Sequence, residues 1–170
     1  SSFWYLKQYP IEKIGKIVDY IVFMTYDLHG QWDAGNANSQ VGCPNGRCLR
    51  SQVNVTETHN ALAMITKAGV ASNKIAAGLT SYGRSFNMAD GDCYTEECFF
   101  TGTRMVSDAT LGECTNEGGI LANAEILKII DDSSRVKHNF VDQDTHSNVL
   151  VYDDNQYVSW MSEDVKQERQ

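Results

Sequence analysis

The segment Met24-Thr25-Tyr26-Asp27-Leu28-His29-Gly30-Gln31-Trp32-Asp33 sets phenol, carboxylate, imidazole and indole groups directly after the apolar run Tyr20–Met24. A second apolar stretch, Ile75–Leu79, leads in the same way into Thr80-Ser81-Tyr82-Gly83-Arg84-Ser85-Phe86. In parallel α/β sheets and barrels the active site gathers at the carboxyl ends of the strands. Two such ends therefore offer Tyr26, Asp27, Trp32, Tyr82 and Arg84 to one ligand, with Met24 close by. Aromatic faces interleaved with a carboxylate and a guanidinium suit a sugar, whose C–H face stacks on rings while polar groups read its hydroxyls. Each residue also has a plain structural use. Met24 can pack, Tyr26 and Tyr82 can be buried with one satisfied hydroxyl, and Trp32 can cover the core. Asp27 can brace a loop and Arg84 can form an ion pair. His29 has no nucleophile partner in view and reads as structural. Glu125 reads most simply as a solvated or capping carboxylate.

The elements that would position these groups follow from periodicity. Pro10–Val18 reads as a short helix with Ile11, Ile14, Ile17 and Val18 on one face. Asp19–Met24 and Lys74–Leu79 read as strands covered on both faces, as in a parallel sheet. Thr56–Ala68 reads as the helix between them, with Gly69 as its stop. A loop from about Leu28 to Val53, rich in Gly, Asn, Ser and Gln, is long enough to expect a function for it. Beyond Phe86 the grammar changes. Asn123 is expected to cap a helix to about Ile130, and Arg135–Val141 and Asn148–Tyr152 read as strands joined by a polar turn. Asp153 and Asp154 are expected to cap a last helix carrying Val158, Met161 and Val165. The fold expected is thus α/β followed by an α+β portion.

The 170 residues have a formal net charge of −8, which argues against a nucleic-acid binder. The charge is unevenly spread: residues 1–85 carry eight Lys/Arg against five Asp/Glu, and residues 86–170 carry six against seventeen. No apolar run approaches the ~20 residues needed to cross a membrane, so no membrane partner is expected. Ser1–Tyr5 has neither the basic start nor the apolar stretch of a leader, although a processed secreted chain would lack one. Cys43 and Cys48 flank Pro44-Asn45-Gly46-Arg47, and a local bridge between them suits an oxidising compartment. Of Cys93, Cys98 and Cys114, one is left unpaired within this chain, and the spacing alone does not say which. Asn54-Val55-Thr56 is a glycosylation sequon consistent with secretion. His29, His59, His138 and His146 are scattered, so neither a metal site nor a cofactor is expected.

Together these strings are recognisable. D-Y-I-V-F-M-T-Y-D-L-H-G-Q-W-D, G-C-P-N-G-R-C-L-R-S, V-T-E-T, I-A-A-G-L-T-S-Y-G-R-S-F, N-A-E-I and L-V-Y-D-D resemble glycoside hydrolase family 18, the chitinases, and within it the fungal group related to killer-toxin subunits. The resemblance implies a partial (β/α)₈ TIM barrel, about strands six and seven with their helices, carrying an α+β insertion. On this division residues 1–86 are barrel, 87–153 insertion and 154–170 a return to a barrel helix. It implies that Tyr26 and Asp27 hold the N-acetyl group of chitin. Met24, Trp32, Tyr82, Arg84 and Glu125 are then implied to contact the sugars. The family reaction is substrate-assisted: the N-acetyl oxygen attacks the anomeric carbon while a glutamic acid protonates the leaving oxygen. That acid belongs to a D-x-x-D-x-D-x-E motif, and no run in this chain matches it. The expectation is a secreted chitinase portion, inactive alone, whose partners are chitin or chito-oligosaccharide and the remainder of the barrel. The rival expectation is a non-catalytic chitin-binding lectin or toxin-type wall-binding subunit.

Overall fold

The computed structural model describes residues 6–170. The leader reading of Ser1–Tyr5 lies outside the described residues. Helix α1 (Ile11–Ile17) follows Pro10 and turns Ile11 inward, while Ile17, expected on the same face, is 84% exposed. Strand β1 (Ile21–Phe23) pairs in parallel with β2 (Ile75–Ala77), Phe23 opposite Ala77. The crossover between them contains α2 (Val55–Lys67). Asn54 caps α2, its side chain accepting from the Thr56 and Glu57 amides, which satisfies two of the donors a helix start leaves open. Ala61 and Ile65 of α2 pack with Val70 on Phe23.

The two strands were expected to be covered on both faces, and they are not. Val22 and Met24 are about half exposed, and Leu79 beyond β2 is also open. Phe23 is covered by α2, and among the described residues the sheet holding β1 and β2 has only these two strands.

The second sheet is antiparallel, in the order β4-β3-β7-β6-β5. Its strands are β3 (Tyr82–Asn87), β4 (Leu121–Ala122), β5 (Val136–Asp142), β6 (Ser147–Tyr152) and β7 (Gln156–Trp160). One face is covered by α3 (Asn123–Asp131), which lays Ile126 and Ile129 on Leu121, Leu150 and Val158. The other face packs Phe86, Val149, Val151 and Tyr157 under Leu49, Met88 and Phe100. Completely burying a side chain such as Leu49 or Leu150 contributes ~2 kcal/mol. The long segment after Leu28 supplies that cover, so it is packed cover despite having only one short 3₁₀ turn, Gln31–Asp33.

Residues 153–161 correct the expectation from sequence. Asp153 and Asp154 cap no helix. Both have left-handed φ (42° and 63°) and turn β6 into β7, which contains Val158. The helix begins later, as α4 (Glu163–Glu168), with Ser162 as its cap. Alternation in Gln156–Trp160 was masked because every residue of β7 is buried.

Candidate functional site

β1 runs out through Thr25 to Tyr26 and Asp27. Thr25 Oγ1 donates to the Gly78 carbonyl at 2.5 Å, stapling the two strand ends. The Tyr26 ring lies on Gly78, where a Cβ would stand only 2.9 Å from it. Asp27 takes a left-handed φ of 55°, which aspartate tolerates better than most residues. Its carboxylate accepts from Arg84 Nε at 2.8 Å, and the Tyr82 phenol lies close enough to feel its charge.

Arg84 comes from β3. Its guanidinium carbon lies 4.8 Å from the Trp32 ring centre and 5.3 Å from that of Tyr82. Tyr26 and Tyr82 meet edge to face, their centroids 6.2 Å apart. Burial, then the neighbouring Asp27 carboxylate, push the Tyr82 phenol up to about 12, with Arg84 opposing. Tyr82 is therefore a neutral donor at physiological pH. Trp32 is 36% exposed, so one face of this group is open to a ligand.

The structure thus brings together Tyr26, Asp27, Trp32, Tyr82 and Arg84. Met24 stands half exposed on the same uncovered side as Val22. Glu125 is not with them. It is 5% exposed, and its carboxylate accepts from the Cys114, Thr115 and Ala122 amides at 2.6, 3.0 and 2.8 Å. Burial works against its charge, and those backbone donors outweigh it and hold the carboxyl below the ordinary range. Both oxygens are occupied in fixing the 112–115 loop to the start of α3, which is the capping use open to it from sequence.

Two further groups support the site: Gln52, which the sequence does not single out, and His29, read there as structural. Gln52 is fully buried and ties three elements together. Its Oε1 accepts from the Asp27 amide (3.2 Å), its Nε2 donates to the Tyr82 carbonyl (2.9 Å), and its own amide donates to Ser159 Oγ (3.3 Å). A lone glutamine in a polar loop gives no sequence signal for this. His29 lies between Asp33 Oδ2 and Glu57 Oε1, each 2.9 Å from a ring nitrogen. With a carboxylate at each nitrogen, both nitrogens donate, and the ring is an imidazolium. Burial opposes the charge, but the bonds to Asp33 and Glu57 win and push the pKa up to about 9. This bridge anchors the Trp32 turn to α2. Trp32 itself lies against Gly30, where a Cβ would stand 2.3 Å from the indole.

Two disulfides form, Cys43–Cys48 and Cys93–Cys98, leaving Cys114 free and exposed. Their loops are joined by a backbone bond from Leu49 N to the Cys98 carbonyl at 2.8 Å. Asn54 of the sequon is half-buried at its cap. Among the described residues no cluster of three or more His, Cys, Asp or Glu is arranged to hold a metal ion.

The family profile "Glycosyl hydrolases family 18" matches residues 1–169. The chain belongs to glycosyl hydrolase family 18. It is 56% identical over 170 residues to "Secreted chitinase LysM12" of Penicillium expansum, covering 99% of this chain and 11% of that protein. It is 39% identical to "Killer toxin subunits alpha/beta" of Kluyveromyces lactis, covering 94% of this chain and 13% of that protein. This family 18 chain therefore spans about an eighth of the length of these relatives. A structure of Ostrinia furnacalis Group IV chitinase in complex with allosamidin matches with a TM-score of 0.73 at 24% identity, covering 95% of this chain and 41% of that one. Human YKL-39, described as a pseudo-chitinase with retained chitooligosaccharide binding, matches at TM-score 0.71 and 22% identity, covering 94% of this chain and 41% of that one. The fold is therefore that of part of a family 18 structure. No described helix is long and apolar enough to cross a membrane.

Proposed function

We propose that this chain is a portion of a secreted chitinase catalytic domain that hydrolyses β-1,4-linked N-acetylglucosamine. In this reading β1 and β2 are two strands of a (β/α)₈ barrel, and the remainder of the barrel covers the open face at Val22, Met24 and Leu79. The antiparallel sheet with α3 is the insertion. The observation that carries the reading is the Arg84 guanidinium held on Asp27 between the Trp32 and Tyr82 rings. That is a charged hydrogen-bonding centre flanked by flat apolar faces, which is what a pyranose with an N-acetyl arm requires.

In the mechanism the resemblance implies, the N-acetyl oxygen attacks the anomeric carbon. The neutral Tyr82 hydroxyl and Asp27 orient the reacting sugar, with Tyr26 beside the N-acetyl group. Arg84 sets the position of Asp27, and Trp32 stacks on the sugar on the leaving-group side. The leaving oxygen takes its proton from a glutamic acid that these 170 residues do not supply, so the chain alone is expected to be inactive. Glu125 is left out of this set because its oxygens are already engaged. Both disulfides and the Asn54 sequon fit an extracellular protein.

The test is turnover of chito-oligosaccharides by the full-length protein with Asp27→Ala and Trp32→Ala variants. Loss of turnover with retained folding supports the reading, and unchanged turnover refutes it. A non-hydrolysing lectin or toxin-type wall binder would use the same residues, and the likeness to human YKL-39 keeps that second reading in view. Binding by the full-length protein without any turnover would decide for it.

A further inference from the structure

At the far edge of the antiparallel sheet lies a second cavity, of about 530 Å³, which shares no residue with the Arg84 group. Arg84 is on β3 and Phe140 on β5, with β7 and β6 between them. Three inter-strand steps separate the two places by ~14 Å. The cavity is lined by both aromatic rings and carboxylates. Tyr94 stacks against His138 with centroids 4.3 Å apart and meets Phe140 at 6.1 Å. Phe140 is 37% exposed although it stands in a strand. Glu96, Glu97, Asp142 and Asp144 line the same cavity, and Asp142 Oδ2 already accepts from Thr145.

The charges there do not balance. Arg50 is the only cation in the lining, and its Nη1 is committed to Glu96 Oε2 at 2.8 Å. The other oxygen of Glu96, Oε1, is buried without a hydrogen-bond partner. Burial raises the pKa of Glu96; Arg50 opposes that rise and the neighbouring charge of Asp142 adds to it. A buried carboxylate oxygen with no donor costs free energy that a cation bearing N–H groups would relieve. The exposed Phe140 ring and the half-buried Tyr94 ring beside it select a cation mounted on a flat, partly apolar frame.

We propose that this cavity binds hexosamine units carrying a free ammonium, such as the deacetylated stretches of a chitin-like polymer. The pyranose stacks on Tyr94 and Phe140, and its ammonium donates to Glu96 and to the neighbouring carboxylates of the lining. The choice of a chito-type polymer as the source of the hexosamine rests on the function proposed above; the cavity chemistry does not. The site would hold partly deacetylated polymer at a distance from the cleft.

The test uses the full-length protein at pH 5.5, titrated calorimetrically with a glucosamine tetramer and separately with an N-acetylglucosamine tetramer. Glu97→Gln with Asp144→Asn changes two exposed positions, and Phe140→Ala removes an exposed ring. Each variant is expected to weaken the glucosamine tetramer about tenfold or more while leaving the N-acetylglucosamine tetramer unchanged. Added salt should weaken the first ligand alone. Trp32→Ala should do the reverse of the cavity variants. Equal affinity of wild type and both cavity variants for the glucosamine tetramer overturns the proposal. So does a tetralysine peptide that binds the cavity more tightly than the sugar. Failure of the cleft reading is seen separately, as no binding of the N-acetylglucosamine tetramer with the glucosamine response intact.

Discussion

Arg84 Nε donates to Asp27 Oδ1 across 2.8 Å, joining the end of a parallel strand to the start of an antiparallel one. The carboxylate is thereby fixed although its residue sits in an irregular, left-handed stretch. Asp27→Asn keeps a residue that accepts left-handed φ but removes the charge. It is expected to lower turnover of the full-length protein about 100-fold with little loss of stability. Arg84→Lys is expected to fail similarly, because lysine has no planar face for Trp32 and Tyr82. Steady-state kinetics beside a thermal melt checks both, and an Arg84→Lys enzyme with full activity would contradict the geometry.

Gly30 allows the indole of Trp32 to lie flat on the backbone. Gly30→Ala should push the ring aside and weaken chito-oligosaccharide binding about tenfold, equivalent to ~1.4 kcal/mol. Intrinsic tryptophan fluorescence during titration reports both the displaced ring and the weaker binding.

His29 makes stability depend on pH in a definite direction. Its folded pKa, about 9, lies above the ordinary 6.5. The stabilisation is therefore fully present below pH 6.5 and is lost as pH rises through 9. Its size is on the order of 3 kcal/mol. Urea unfolding of wild type and His29→Gln should differ most near pH 6 and converge by pH 10. A difference that is the same at both pH values would show that the ring is not an imidazolium.

Gln52→Leu keeps the volume but strands the Asp27 amide and leaves the Tyr82 carbonyl only its second donor, Thr80 Oγ1 at 3.2 Å. A loss of about 1–3 kcal/mol is expected, chiefly from the unsatisfied Asp27 amide. Hydrogen exchange should quicken at Asp27 and Leu28, whose amides bond to Gln52.

Glu125→Ala separates capping from sugar contact. It should lower stability by about 1–2 kcal/mol and leave oligosaccharide affinity within about twofold. A large affinity loss in a fully stable variant would restore Glu125 to the cleft.

The site was readable where chemistry and element agreed. Tyr26, Asp27, Tyr82 and Arg84 each follow an apolar strand, and strand ends collect functional groups. Gln52 was not readable in the same way, and His29 was readable as structural but not its bridge to Glu57, since both depend on partners on another element. Gln52 reaches Ser159, 107 positions away. Glu125 carried two meanings, and the amides of Cys114, Thr115 and Ala122 bring out the capping one. In the fold, α2 and α3 were legible from their stripes. β7 was misread because full burial erases the alternation that marks a strand, while Val158, Met161 and Val165 happen to fall at helical intervals. The open side of β1 and β2 was equally invisible, because an apolar run states what a strand requires and not which neighbour supplies it.

The pairing of cysteines five positions apart has a consequence for how the chain is oxidised. Such short rings close at high effective concentration in the unfolded chain. The native bridges can therefore form before any sheet exists, without constraining the order in which distant strands meet. Cys114, exposed and sixteen residues past Cys98, is the thiol able to divert that chemistry. Refolding with oxidant should reach the native pairing sooner in Cys114→Ser than in wild type.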